Sequence, residues 1–351
     1  MDRKFYVDLA NAGLRMPIGA DLVLKEKADH EERLLKGNLL GEVIVEAARR
    51  FKTPLGFPLM DLAVEKEWML LSMGIPAAEI GEYHFHGCPS EADLEKIKTG
   101  FAKATPRIKA NCDAISYVRK NSDVIPVGMA IGPFSLMVKM ISDPITAVYM
   151  SGMGVSAAED DEVKLVENVL ELATDAIINS IKHQIDAGAK AICLCEPAAN
   201  TVYLSPIQLK DGSDIFDRYV LKYNKRIKKY LVERDVDLIF HDCGELLDMM
   251  LVKYNELDPA ILSLGASRVL WEDAKIVSKN TVLFGNLPTK RFYSDADVPL
   301  SMVKEVSHAL IKNMKDAGHP FILGSECDVL FVPGASGTII EKINTMLTTR
   351  A

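Results

Sequence analysis

Leu238-Ile239-Phe240-His241-Asp242-Cys243-Gly244 is an apolar run that closes on a histidine, an acid, a cysteine and a glycine. Its first half reads as a buried strand, and its second half as the polar end of one. Seven other runs follow the same plan: Pro17–Leu22, Pro54–Leu59, Ile125–Ile131, Ala191–Glu196, Ile261–Gly265, Val282–Leu287 and Phe321–Glu326. Most are apolar through the middle and end in Gly, Asp, Asn, Glu, His or Cys. Helical stretches separate them, and alternating strand and helix implies parallel strands joined by crossover helices. Eight such units predict an α/β fold, a closed (β/α)8 TIM barrel, in which functional groups gather at the C-terminal ends of the strands.

The helices carry their own punctuation. Ser156-Ala157-Ala158-Glu159 has capping-box spacing. Val163, Val166, Leu170, Ala173, Ile177, Ile181 and Ile185 then follow at helical period, and Gly188 is a natural stop. Further helices are expected over about 214–233, over 300–317 before Gly318, and over 337–347. The connection between the second and third strands, residues 61–121, is longer than a crossover needs and reads as a helical insertion that shapes or covers the barrel mouth. No Pro/Gly/Ser-rich linker interrupts the chain, so residues 1–351 are expected to form one barrel domain with this N-terminal helical elaboration.

Hydrophobic residues make up 48% of the chain, enough for a large core, and the formal net charge is −8 with both signs interspersed. No basic tract occurs, which argues against nucleic acid and anionic membrane as partners. Met1-Asp2-Arg3-Lys4-Phe5 lacks the apolar stretch of a signal peptide, and no apolar run is long enough to span a bilayer. Six cysteines in a chain of 351 residues are no disulfide framework. A reducing, cytoplasmic setting is therefore expected, where free thiols can bind metal.

In a strand, residues i and i+2 share a face, so His241 and Cys243 point together and Asp242 points away. Cys327 lies just past the eighth strand, and barrel closure brings strand ends around one mouth. These three donors would fill three positions of a tetrahedral zinc and leave the fourth open. The alternative is a pair of buried cysteines near a histidine satisfied by backbone, and a single H-x-C pair does not decide between them. Other residues are candidates for the mouth. Phe57, Met60, Met129, Phe134 and Tyr203 suit an aromatic substrate, whereas Lys290 and Arg291 would suit an anionic one or simply be solvated. Glu196 ends the fourth strand and is a candidate proton donor or transient fourth ligand, or else a group that simply hydrogen-bonds the barrel mouth. Asp21, Asp61, Asn200 and Asn286 either touch substrate or only cap helices and loops. Glu326 is expected to face away from the ligand set, and Cys193 and Cys195 to be core residues. His84-Phe85-His86-Gly87-Cys88 reads as a loop of the insertion.

Phe240-His241-Asp242-Cys243-Gly244, Gly285-Asn286-Leu287-Pro288 and Ile322-Leu323-Gly324-Ser325-Glu326-Cys327 resemble the uroporphyrinogen decarboxylase superfamily, and within it the zinc-dependent, corrinoid-linked methyltransferase branch. Glu196-Pro197-Ala198-Ala199-Asn200 and Leu204-Ser205-Pro206 resemble that family's central strand and loop, so the likeness covers roughly 125–350. It implies that His241, Cys243 and Cys327 bind zinc. The arginine-rich N-terminal motif of the decarboxylase is missing, since Arg15 stands alone before the first strand. The branch acts with a corrinoid protein, and no D-x-H-x-x-G corrinoid motif occurs here, so the cobalamin would arrive on a partner. Two chemistries fit: a thiol such as coenzyme M takes a methyl from cobalt, or Co(I) removes the methyl of an O-methyl aromatic. The apolar mouth candidates favour the O-demethylase type, with a methoxy-aromatic donor. A non-catalytic zinc barrel that docks a corrinoid protein is a third reading.

Overall fold

The computed structural model describes residues 2–350. Eight strands form one parallel sheet: β1 (Arg15–Ile18), β2 (Leu55–Gly56), β3 (Ile125–Ile131), β4 (Ala191–Cys195), β5 (Asp237–Asp242), β6 (Ile261–Leu264), β7 (Val282–Leu287) and β8 (Phe321–Asp328). Their order is β1-β8-β7-β6-β5-β4-β3-β2, so the sheet curls round until β1 and β2 face each other at a seam. The curl closes into a barrel because one face of every strand joins one interior cluster. Met16 and Ile18, Leu55, Val127, Ala191 with Cys193 and Cys195, Ile239, Ile261, Val282 with Phe284, and Ile322 all belong to it. The alternate residues, among them Ile192, Leu194, Leu238, Phe240, Leu262, Leu264, Leu283 and Leu323, pack outward against the helices. This is the two-faced burial of a (β/α)8 barrel.

Interior packing depends on one missing side chain. A Cβ on Gly324 would stand 2.2 Å from a Phe284 ring carbon and 2.6 Å from the Met16 carbonyl oxygen. Glycine therefore lets the Phe284 ring lie across β8. The helix Arg3–Asn11 closes the N-terminal end of the barrel: buried Tyr6 joins the interior cluster and donates to Asp237 Oδ2 at 2.8 Å, at the start of β5.

Several boundaries differ from the sequence expectation. The first strand ends at Ile18, and Ala20–Lys25 is a helix whose Leu22, Val23 and Leu24 are buried. Ala, Leu and Lys favour helix, and Asp21 in its first turn suits the helix N-terminus. The second strand is only Leu55–Gly56, and β8 continues to Asp328. The long helix spans Asp161–Ala187, capped by Asp160, whose carboxylate accepts from the Glu162 and Val163 amides at 2.9 Å. Ser156 and Glu159 instead close a separate turn just upstream. Gly188, at φ +113°, ends that helix. The helix expected over 214–233 is Lys222–Val232, preceded by a π-helical turn at Asp217–Leu221. Among the described residues no helix is long and apolar enough to cross a membrane.

Three helices, Val64–Met73, Glu91–Gly100 and Pro106–Asn121, lie between β2 and β3. Trp68 anchors them, donating from Nε1 to the Lys103 carbonyl at 3.1 Å and meeting Phe101 edge-on. Glu65 is 2% exposed and accepts from Ser180 Oγ at 2.8 Å, linking the insertion to the long helix. Burial pushes its carboxyl up to about 7. Between about pH 4.5 and 7 the folded state then holds a proton that the unfolded chain has lost, so native stability falls as pH rises through that window. Glu65→Gln should flatten this fall. Urea midpoints for both proteins at pH 5 and pH 7 check it, and parallel pH dependences would refute the assignment.

Candidate metal centre

His241 follows Ile239 on the inward face of β5 and is fully buried. Parallel pairing sets it beside Ser263 of β6, which faces inward between outward Leu262 and Leu264. The His241 Nδ1 lies 2.8 Å from Ser263 Oγ. With Nδ1–H donating to the hydroxyl, Nε2 keeps its lone pair, and this buried nitrogen has no partner among the described residues. A sealed imidazole nitrogen without a partner costs free energy unless something fills its lone pair.

Cys243, one residue past β5, points the same way, and its Sγ lies 3.7 Å from Cys327 Sγ. Cys327 arrives through an irregularity in β8. The β1 register passes from Met16–Gly324 to Ile18–Asp328, so β8 carries two more residues than its neighbour over this step. The extra length frees this stretch of β8 from the ladder and brings Cys327 to the centre. His241, Cys243 and Cys327 offer ligand atoms that all lie within 4.8 Å of one another, a group able to hold a metal ion.

The contact between the two sulfurs, with His241 and Lys290 nearby, holds Cys243 far below the usual thiol range despite burial. The same contact, together with burial, pushes Cys327 far above that range. Lys290, exposed on the loop after β7, keeps a raised pKa: partial desolvation disfavours its charge, but the Cys243 and Cys327 sulfurs and Glu326 outweigh that.

Asp242 points outward, as alternation requires. Its carboxylate accepts from Tyr254 Oη at 2.6 Å and from the Gly244 amide at 2.9 Å, and burial raises it to about 8. Glu326 also turns from the ligands and accepts from the Ala266 amide at 3.1 Å and the Lys290 amide at 3.4 Å, joining the loops after β6 and β7. Cys193 and Cys195 are buried in the barrel interior.

The remaining candidates divide. Phe57, Met60 and Met129 belong to the interior cluster, and Met60 Sδ lies 3.7 Å from Cys327 Sγ. Glu196 does not face the ligands. Cys193 and Cys195 take the inward face of β4, so Glu196 falls on the outer one. There it is fully buried, accepts from the Ser135 amide at 2.6 Å and Asn224 Nδ2 at 3.2 Å, and is raised to about 7 by burial. This corrects its reading as proton donor or fourth ligand. Asn200 donates to the Pro197 carbonyl at 2.7 Å and accepts from the Val202 amide at 2.8 Å, so it holds its own loop. Asn286 spends its amide hydrogens on the Gly265 and Arg268 carbonyls, at 2.8 and 2.9 Å. Neither amide is presented to a substrate as expected. Asp21 accepts from the Phe331 amide at 2.7 Å and fastens the chain after β8. Asp61 pairs with Arg107 and accepts from the Ala63 amide at 3.2 Å. Phe134 is buried among the helices, and half-buried Tyr203 packs edge-on against it. In the 84–88 loop, Phe85 is tied to the Met140 carbonyl at 2.7 Å, and His86 and Cys88 are exposed outside the metal group.

Sequence reasoning overlooked Ser263 and Asp328. Both carried a signal: Ser263 is the polar residue on the inward parity of β6, and Asp328 adjoins Cys327. Asp328 is buried, and burial, with Asp21 nearby, raises it to about 7.

A parallel barrel thus gathers an imidazole and two thiols at the C-terminal ends of its strands, a group able to hold a metal ion. The chain belongs to the uroporphyrinogen decarboxylase (URO-D) family, whose pattern matches residues 18–350. It is 27% identical over 212 residues to the methylcobamide:CoM methyltransferase MtbA of Methanosarcina mazei, and 25% identical over 212 residues to that of Methanosarcina acetivorans. Each alignment covers 58% of this chain and 57% of the relative, so only a little over half of either is matched. A solved methyltransferase from Methanosarcina mazei shares the fold, with a TM-score of 0.69, 17% identity and 98% of both chains covered.

Ser263 should act on metal binding through the ring it orients. Ser263→Ala is expected to weaken metal affinity about 10- to 100-fold by freeing the imidazole. Glu196→Gln should leave affinity within about twofold of wild type, because Glu196 lies on the far side of β4. Competition titrations with a chelator measure both, and a Glu196→Gln loss as large as that of Ser263→Ala would return Glu196 to the site.

Proposed function

We propose that the protein is a zinc-dependent methyltransferase that moves a methyl group between a corrinoid carried by a partner protein and a small thiol. The observation that carries the reading is the sealed, unpartnered Nε2 of His241 facing two sulfurs 3.7 Å apart. In a tetrahedral zinc site with bonds of about 2.3 Å, neighbouring sulfurs stand about 3.8 Å apart. His241, Cys243 and Cys327 would hold the ion, whose binding displaces protons from the thiols. When bound, the zinc supplies a Lewis acid that takes up a thiol as thiolate. Two cysteine sulfurs nearly neutralise the ion's charge, which keeps the substrate sulfur electron-rich and nucleophilic. Lys290 stands beside the sulfurs and offers a positive charge to an anionic group on the thiol. The names of the Methanosarcina relatives, methylcobamide:CoM methyltransferases, support the same direction.

The preference for a methoxy-aromatic donor weakens on the geometry. Phe134 lies among the helices, Tyr203 packs on it, and Asn286 has no amide hydrogen to spare. O-Demethylation keeps one supporting feature, the apolar wall of Phe57 and Met129 in the interior cluster. Mixing the zinc-loaded protein with methylcobalamin and coenzyme M should discharge methyl-cobalt, followed by its visible spectrum. If instead methyl-cobalt forms from Co(I) and a methoxy-aromatic while thiol does nothing, the thiol reading fails and O-demethylation takes its place.

A further inference from the structure

We infer that the thioether of Met60 is the resting fourth ligand of this metal centre and gives way when a substrate thiol arrives. The inference rests on the zinc reading above and adds a ligand to it. Three donors leave one position of a tetrahedron open, and no aspartate, glutamate, histidine or further cysteine among the described residues joins the group. The acids at the strand ends are committed elsewhere. Glu196 lies outside β4, Glu326 holds two loop amides, and the end of β6 reads Leu262-Ser263-Leu264-Gly265 with no acid at all.

Met60 is different. It sits on the loop after β2, packed against the barrel interior, and its Sδ lies 3.7 Å from Cys327 Sγ. That equals the Cys243–Cys327 separation and matches the edge of about 3.8 Å expected between sulfurs on one zinc. The unbranched side chain keeps three rotatable bonds on which to swing away.

The chemistry suits a displaceable ligand. A neutral thioether is a soft donor but a weaker one than a thiolate. In the exchange the metal–Sδ bond breaks, a metal–sulfur bond to the substrate forms, and the thiol proton passes to solvent. The methionine side chain ends in CH2–S–CH3, the same group that methylation makes of a thiol. Met60 therefore imitates the methylated product at the position where that product must leave, and its return competes with product for the site.

Zinc-edge X-ray absorption on the zinc-loaded wild type should show three sulfur neighbours and one nitrogen. The selenomethionyl protein should show zinc beside one selenium. Met60→Leu should have two sulfurs and two lighter neighbours. If Met60 holds the position about nine-tenths of the time, the same variant should bind a thiol about tenfold more tightly, as titration of the zinc-loaded protein would measure. Two sulfurs in both proteins and no zinc near selenium would make Met60 a packing contact only and overturn the inference, with the zinc site intact. Full zinc retention by Cys243→Ala would overturn the zinc reading and this inference together.

Discussion

Pairing of His241 with Ser263 across β5 and β6 is the constraint on which the centre depends. Strand side chains alternate with period two, so a slip of one residue would turn His241 and Cys243 to the helices and carry Asp242 inward. The outward face prevents that slip. Leu238 and Phe240 are committed to the helix layer, and Asp242 is held there by Tyr254 and the Gly244 amide. The aromatic packing of Phe240 on Tyr254, with ring centroids 4.7 Å apart, joins the hydrophobic and polar parts of this clamp. Orientation of the imidazole is thus set by a hydrogen bond inside the barrel and a packed acid outside it.

Cys327 reaches the same point by the opposite device. Where β5 is regular, β8 departs from its ladder, and the departure brings the second sulfur to the first. Its neighbours fix the displaced segment. Ser325 Oγ accepts from the Ile18 amide at 3.0 Å, and Glu326 holds the loops after β6 and β7. Beneath the second of these loops, buried Lys342 donates to the Phe292 and Ser294 carbonyls at 2.8 and 3.1 Å. These contacts hold the chain that carries Lys290 beside the two sulfurs.

Strand count, crossover rhythm and the shared direction of His241 and Cys243 were legible in the sequence because each follows from a local rule. Apolar runs of strand length announce the barrel, and the i, i+2 relation of His241 and Cys243 needs only alternation. Cys327 needed the family resemblance: counting by twos from inward Ile322 turns it outward, and the β8 irregularity leaves no mark in Phe321–Asp328. Glu196 is hidden for the reverse reason: polar residues end most of the strands, and position at the mouth does not fix direction toward it. Parity counted from the small residues Cys193 and Cys195 turns Glu196 outward. Asn200 and Asn286 were ambiguous at the outset, because an amide serves a loop as readily as a substrate, and nothing local distinguishes the two uses.

The same parity separates two kinds of polar group in this barrel. Acids at the ends of β4 and β5 face outward, are buried, and bond to amides, a hydroxyl or an asparagine. Sulfur and imidazole face inward. An ionised carboxylate among the inward groups would add a hard oxygen donor and a further negative charge beside two thiolates, favouring oxygen-loving cations and repelling an incoming thiolate. With the acids on the outside, the donors that meet at the mouth are sulfur and nitrogen, and Met60 extends the sulfur set on the inward side. The direction of alternate side chains on β4 and β5 therefore turns sulfur and imidazole to the mouth and the carboxylates of these two strands to the helices.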